Sequence, residues 1–161
     1  MQHKKGYNSI LMDRNIFLKT CNFCVYQERT QDEVRQRLKD WKIYGIENEE
    51  IIAELITENY INEERFAKLY AGSKFRVKKW GRIKIIQALK FKRISSYCIK
   101  KAMAEIGSEE YKLVLQALIH KKNHSIISEE NKFIRQQRVA KYALQKGYEN
   151  TLIWEIIKEL P

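Results

Sequence analysis

The sequence predicts an all-α protein built as three tandem three-helix repeats, stacked into an elongated, curved, right-handed helical array. Three observations carry that prediction. Apolar residues recur at i, i+3 and i+4 along almost the whole chain, and strand-like alternation is nearly absent. The single proline is the terminal Pro161, so nothing interrupts a helix before it. Helix punctuation recurs at short intervals, as Ser, Thr or Asn ahead of an apolar stripe and Gly after it.

The first helix is predicted over 13–28, where Ile16, Phe17, Thr20, Cys21, Cys24 and Val25 fall on one side. Thr30-Gln-Asp-Glu33 is a capping box, in which a hydroxyl and a carboxylate satisfy the free amides of a helix start. The helix it opens carries Val34, Leu38 and Trp41 and is expected to exit at Gly45. Asn48 is expected to cap a third helix with Ile51, Ile52, Leu55 and Ile56 inside. Asn62 caps a fourth, with Glu63 and Glu64 at the positive end of its dipole and Phe66, Leu69 and Tyr70 inward.

A fifth helix starts near Gly81, with Ile83, Ile85, Ile86 and Leu89 in one arc and Lys84 opposite. Ser95 or Ser96 caps a sixth, which Gly107 ends; Ser108 caps a seventh containing Tyr111, Val114, Leu115, Leu118 and Ile119. The polar stretch KKNHSIIS (121–128) reads as a loop. An eighth helix runs from about 129 to Lys146 and stops at Gly147, and a ninth covers 150–160. The stretches LKDWKIYGIENEEIIAEL, IQALKFKRISSYCIKKAM and AKYALQKGYENTLIWEII share one helix–turn–helix pattern, with Ile46, Ile94 and Tyr148 in the same place in each turn. The expected organisation is a flexible segment 1–12, then repeats 13–60, 61–107 and 108–161.

Composition narrows the function. Three cysteines form no disulfide framework, and Cys21 and Cys24, three apart on a helix, read as small buried hydrophobes. His120 and His124 straddle the expected break at Asn123, and His3 lies in the N-terminal segment, so no metal and no cofactor is expected. No phosphate loop, GxSxG or HExxH occurs, and the paired glutamates sit in first turns of helices, so the reading is not an enzyme. No apolar run approaches the roughly 18 residues of a membrane span, and no signal peptide opens the chain; a cytoplasmic monomer is expected.

Charge is the strongest signal. The chain carries 31 Lys and Arg against 20 Asp and Glu. Between Glu64 and Glu105 lie forty residues without an acid, holding thirteen of the bases. A solvated helical face would normally alternate signs for i, i+4 pairing, so this concentration points to an anionic partner. No base-reading motif accompanies it, and contacts with nucleic acid should be made to phosphates. The segment FRVKKWGRIKI (75–85) reads as a joint between helices whose cations form the contact surface. Trp80 is either the packing anchor of that joint or a platform for a base.

The motifs resemble a known family. QERTQDEVRQRLKDWKI (27–43), NYINEERFAKLYAGSKFRVKKWGRIKI (59–85) and QKGYENTLIWEII (145–157) are similar to the corresponding stretches of RecX, the bacterial regulator of the RecA recombinase. Arg65, Phe66 and Ala67 match the family's Arg-Phe-Ala, and Arg82 and Ile83 its helix start; Arg93 stands where a glycine is common. The resemblance implies three tandem three-helix repeats and a protein without catalytic residues. It implies binding to the RecA filament on single-stranded DNA, with double-stranded DNA as a further ligand, and inhibition of strand exchange, ATP hydrolysis and co-protease activity. The residues assigned to that contact are Lys74, Arg76, Lys78, Lys79, Trp80, Arg82, Lys84, Lys90, Lys92 and Arg93. Composition alone leaves two other readings open, a general nucleic-acid-binding protein and a helical adaptor for an acidic protein.

Overall fold

A computed structural model describes residues 12–161; the expected flexible segment, apart from Met12, and His3 lie outside the described residues. The described residues form nine helices and no strand: α1 (Arg14–Tyr26), α2 (Gln31–Asp40), α3 (Gly45–Thr57), α4 (Glu63–Arg76), α5 (Arg82–Phe91), α6 (Ser96–Ala104), α7 (Ser108–Ser125), α8 (Lys132–Lys146) and α9 (Asn150–Ile157). The chain divides into two compact units, one ending at Phe66 and one covering Ala67–Pro161.

The first unit closes over Cys21, Cys24, Val34, Leu38, Ile51, Ile52, Leu55 and Ile61. Asp13 caps α1, and Thr30 and Glu33 exchange both bonds of the capping box on α2. Asn48 does not cap α3, which begins three residues earlier at Gly45. Its buried amide instead donates to the carbonyls of Arg35 (3.2 Å) and Ile43 (3.1 Å), tying the first turn of α3 to α2. Asn62 caps α4 as expected, accepting from the Arg65 amide. Glu63 reaches out of the same turn to accept from the Gln31 amide at the start of α2. Arg65 pairs with Glu28 at 2.6 Å and donates to the Asn59 carbonyl, so its guanidinium is a structural clamp. Burial pushes the Cys24 thiol up to about 11, and the Cys21 thiol also lies above its usual value, as the reading of both as small hydrophobes requires. Val25 is 71% exposed and leaves the apolar stripe to its neighbours.

In the second unit the buried stripe of α4 is Ala67, Ala71 and Phe75, whereas Leu69 is exposed. α5 buries Ile85 and Leu89 and exposes Ile83. Gly107 does not end α6, which stops at Ala104, and Ser108 is the first residue of α7 rather than its cap. α7 runs on through Ser125, because Tyr111, Leu115, Ile119 and Asn123 continue one buried stripe at i, i+4. Residues 121–125 of the segment read as a loop are therefore helix, residues 126–128 form the turn after it, and His120 and His124 share α7. Among the described residues no group of three or more His, Cys, Asp or Glu could hold a metal ion.

The repeated element is the way helices stop. Lys42, Asn59, Lys79, Arg93 and Gly147 all take left-handed backbone, at φ 66°, 61°, 56°, 59° and 93°. The amide after each turns back into the last turn: Ile43 to Leu38, Tyr60 to Leu55, Trp80 to Lys74, Ile94 to Leu89 and Tyr148 to Ala143. This is the helix C-terminal motif that satisfies orphan carbonyls and drops an apolar residue onto the helix it ends. The equivalent residues are thus Ile43, Ile94 and Tyr148, not Ile46, which is 72% exposed. Only one of the five left-handed positions is glycine. For an L residue that conformation costs roughly 1–2 kcal/mol, so Lys42→Gly is expected to raise stability by about 0.5–1 kcal/mol after glycine's larger unfolded-state entropy is set against it. Lys42→Val should lower it. Urea unfolding of the two variants checks both signs.

Candidate nucleic-acid interface

The segment Trp80-Gly-Arg82 builds a corner before it offers any surface. Gly81 has no side chain with which to cap α5, so the first amides of that helix need outside acceptors. They find them in order on the α7–α9 side of the same unit. Gly81 N–H donates to the Lys146 carbonyl (2.8 Å), Arg82 N–H to the Tyr111 hydroxyl (2.9 Å) and Ile83 N–H to the Gly147 carbonyl (3.0 Å). The free end of one helix thereby satisfies the free end of another. Gly81 takes an ordinary φ of −77°, so the turn before it is made by Lys79 rather than by this glycine. Its requirement is space: a Cβ there would strike the backbone of Gly147 and Tyr148, and one on Gly147 would strike Lys84.

Aromatic residues fill the corner. Tyr111 lies 5.0 Å from Tyr148 and 5.8 Å from Phe75, ring centre to ring centre. Its hydroxyl, having accepted from Arg82, donates to Glu149 Oε2 at 2.7 Å. Burial, with that carboxylate beside it, holds the Tyr111 phenol far above its ordinary pKa and keeps it a donor. Tyr148 donates to the Lys79 carbonyl. Arg82 turns inward: its guanidinium stacks 4.1 Å from the Tyr111 ring centre and donates to the Ile106 carbonyl at 3.0 Å.

The remaining candidate cations divide by location. Lys74 and Lys84 lie over the Trp80 ring, at 5.1 and 4.7 Å, and Lys74 and Lys92 over the Tyr70 ring, at 5.1 and 5.8 Å. Each distance is within cation–π range. Trp80 is half-buried and serves as the base of this cationic strip. The Arg76 guanidinium folds back over Gly72, where a Cβ would collide with it. Lys90 and Arg93 are exposed at and beyond the end of α5, Arg93 on left-handed backbone. Lys78 and Lys79 belong to a separate groove, shared with Lys121, Lys122, Tyr142 and Lys146. Sequence reasoning did not single out those last four, nor Tyr70 as part of the strip. For Lys121 and Lys122 the usable signal was Asn123, which continues the buried spacing of Ile119 and so extends the helix past them.

Comparison with known proteins follows the same lines. Residues 62–103 match the family profile described as the second three-helix domain of RecX. The chain is 26% identical over 145 residues to the regulatory protein RecX of Bacillus cytotoxicus, covering 89% of this chain and 53% of that protein. It is 29% identical over 120 residues to that of Lactobacillus johnsonii, covering 74% and 44%. The chain thus spans about half the length of the curated relatives it matches. The crystal structure of RecX from Lactobacillus salivarius superposes with a TM-score of 0.81 at 25% identity, covering 89% of this chain and 93% of that one. A second crystal structure, of a regulatory protein RecX, shares the fold at a TM-score of 0.81 and 21% identity, covering 91% and 71%. The chain is similar to RecX over most of its length, in sequence and in fold.

Two substitutions test the corner. Tyr111→Phe removes one acceptor and one donor without changing the packing, and is expected to cost about 1–3 kcal/mol. Gly81→Ala forces two backbones apart and should cost more than about 3 kcal/mol. Chemical denaturation measures both.

Proposed function

We propose that this chain, which resembles the RecX regulatory proteins in sequence and fold, is a non-enzymatic regulator that binds the RecA filament on single-stranded DNA and restrains its activity. The observation that carries this reading is the cationic strip of the second unit. Lys74, Lys84 and Lys92 are held over Trp80 and Tyr70, in a stretch of forty residues that contains no acid. The similarity supplies the class of partner. The strip supplies the chemistry, ammonium groups positioned in advance for the phosphates of a DNA–protein polymer.

In this reading the protein acts by occupying the filament rather than by transforming a substrate. Aromatic rings under the lysines serve two purposes. They hold the ammonium groups in place before binding, which reduces the ordering cost at contact, and they present faces beside which a base can lie. Arg82 is left out of the tested set, since its guanidinium stacks on Tyr111 and donates to the Ile106 carbonyl and so also holds the corner. Among the described residues no helix is long and apolar enough to cross a membrane.

The test is RecA's DNA-dependent ATPase titrated with wild type and with Lys74→Gln/Lys84→Gln/Lys92→Gln, helicity and melting being matched first. The variant should need about tenfold more protein for half-inhibition, the loss of a few charge-assisted contacts. Equal inhibition by both proteins would contradict the proposal. Inhibition that disappears when DNA is in excess would reduce the protein to a competitor for free DNA.

A further inference from the structure

The end of α5 carries an aromatic residue that the fold does not use. Phe91 is 90% exposed, more than any other large apolar side chain among the described residues. It stands between Lys90 and Lys92, with Arg93 just beyond on left-handed backbone. Packing of this turn is carried by Leu89 and Ile94, which are buried. A phenyl ring left in water forgoes one of the largest burial gains a side chain offers. Single exposed apolar residues are ordinary; what sets this one apart is a complementary groove in the first unit.

That groove lies between α2 and α3, with a volume of about 580 Å³, and its surface is mainly apolar although Arg35, Lys39 and Glu50 contribute to it. Ile46 and Ala53 line it and are both exposed, as is Tyr44 beside them. Gly45, also in the lining, has open space where a Cβ would stand. The first turn of α3 has no side-chain cap. Asn48 lines the groove at 2% exposure, spends its amide on α2 and leaves its Oδ1 buried without a partner. Glu49 is held by Arg35, whereas Glu47 and Glu50 make no ion pair among the described residues. The groove thus offers apolar contact, uncapped amides and unpaired carboxylates. The end of α5 offers their counterparts, a ring, the carbonyls of a last turn and cations. The balance of charge agrees: residues 12–66 hold twelve acids and eight bases, and residues 67–161 hold eight acids and twenty-one bases.

We infer that this chain associates with a second copy of itself head to tail, Phe91 of one copy seated in the α2–α3 groove of the next, in place of the monomer expected from the sequence. An aromatic anchor in an apolar recess ringed by charge is the arrangement that concentrates binding energy at an interface. One such anchor makes a small contact, so the association is weak and depends on concentration. Because the two surfaces differ, a pair of copies leaves one groove and one Phe91 unused, and further copies add to them. The contact needs neither DNA nor a recombinase, so it stands or falls apart from the proposed function.

The experiment is sedimentation of the full chain over a concentration series reaching about 1 mM. Salt is held at about 0.15 M, where repulsion between chains of net charge +11 is screened beyond about 8 Å. Wild type should grow heavier as concentration rises. Phe91→Ala removes the anchor and Ile46→Lys obstructs the groove; each alone should associate at least about tenfold more weakly. Both positions are exposed, and matched melting confirms that the variants fold; Ile46→Ser replaces Ile46→Lys if it does not. Mixing the two variants is decisive. The Phe91→Ala copy keeps its groove and the Ile46→Lys copy keeps its ring, so the mixture should form a species of two chains and stop there. A mixture that stays monomeric overturns the proposal, as does either variant associating like wild type. So does wild type that remains a monomer at about 1 mM, which would leave the groove to a different protein.

Discussion

The second unit depends on one constraint: the start of α5 has no cap of its own. Three consecutive amides, from Gly81, Arg82 and Ile83, would be orphaned at a helix end, at a cost of about 1–3 kcal/mol each when buried. The end of α8 supplies two carbonyls and α7 supplies a phenol. Meeting those acceptors requires backbone contact, which is why Gly81 faces Gly147 without a Cβ on either side. The same contact places Tyr111 between Tyr148 and Phe75, and Tyr148 against the Lys79 carbonyl. Positions more than sixty residues apart in sequence, Gly81 with Lys146 and Ile83 with Gly147, are thereby fixed by bonds at helix ends.

The disposition of charge follows from that joint. Arg82, the cation nearest the corner, is drawn inward to close it. The lysines on either side lie over the strip of Trp80 and Tyr70 or around Tyr142 in the groove, and two of them also bond across the joint, Lys84 to the Gln145 carbonyl and Lys146 to the Lys78 carbonyl. Structural and surface roles therefore alternate within a few residues. A charge reversal across Lys78, Lys79 and Arg82 would mix the two roles, because losing the Arg82 guanidinium disturbs the corner itself.

Much of this was legible in the sequence, and the misses have physical causes. The capping box at Thr30–Glu33, the Asn62 cap and the stop at Gly147 were read correctly because each is a local backbone requirement with its own residue signature. The reading of FRVKKWGRIKI as a joint first also agrees with the structure. Boundaries failed where a residue works over distance. Asn48 looks like a cap, yet it spends its amide on α2. KKNHS looks like a loop, yet Asn123 continues a buried stripe. The turn register shifted by three because left-handed Lys42 is invisible to a search for glycine. The basic tract was visible in composition, but its division into a strip, a groove and an inward arginine depends on which aromatic ring each cation meets.

The central claim is that the α5 start is held by the α8 end, and amide hydrogen exchange tests it most directly. If the joint holds, the Gly81, Arg82 and Ile83 amides exchange only through opening of the whole second unit, as slowly as those of Ile85 and Leu89 in its core. Exchange of those three amides at the rate of a frayed helix end, while Ile85 and Leu89 stay protected, would contradict it.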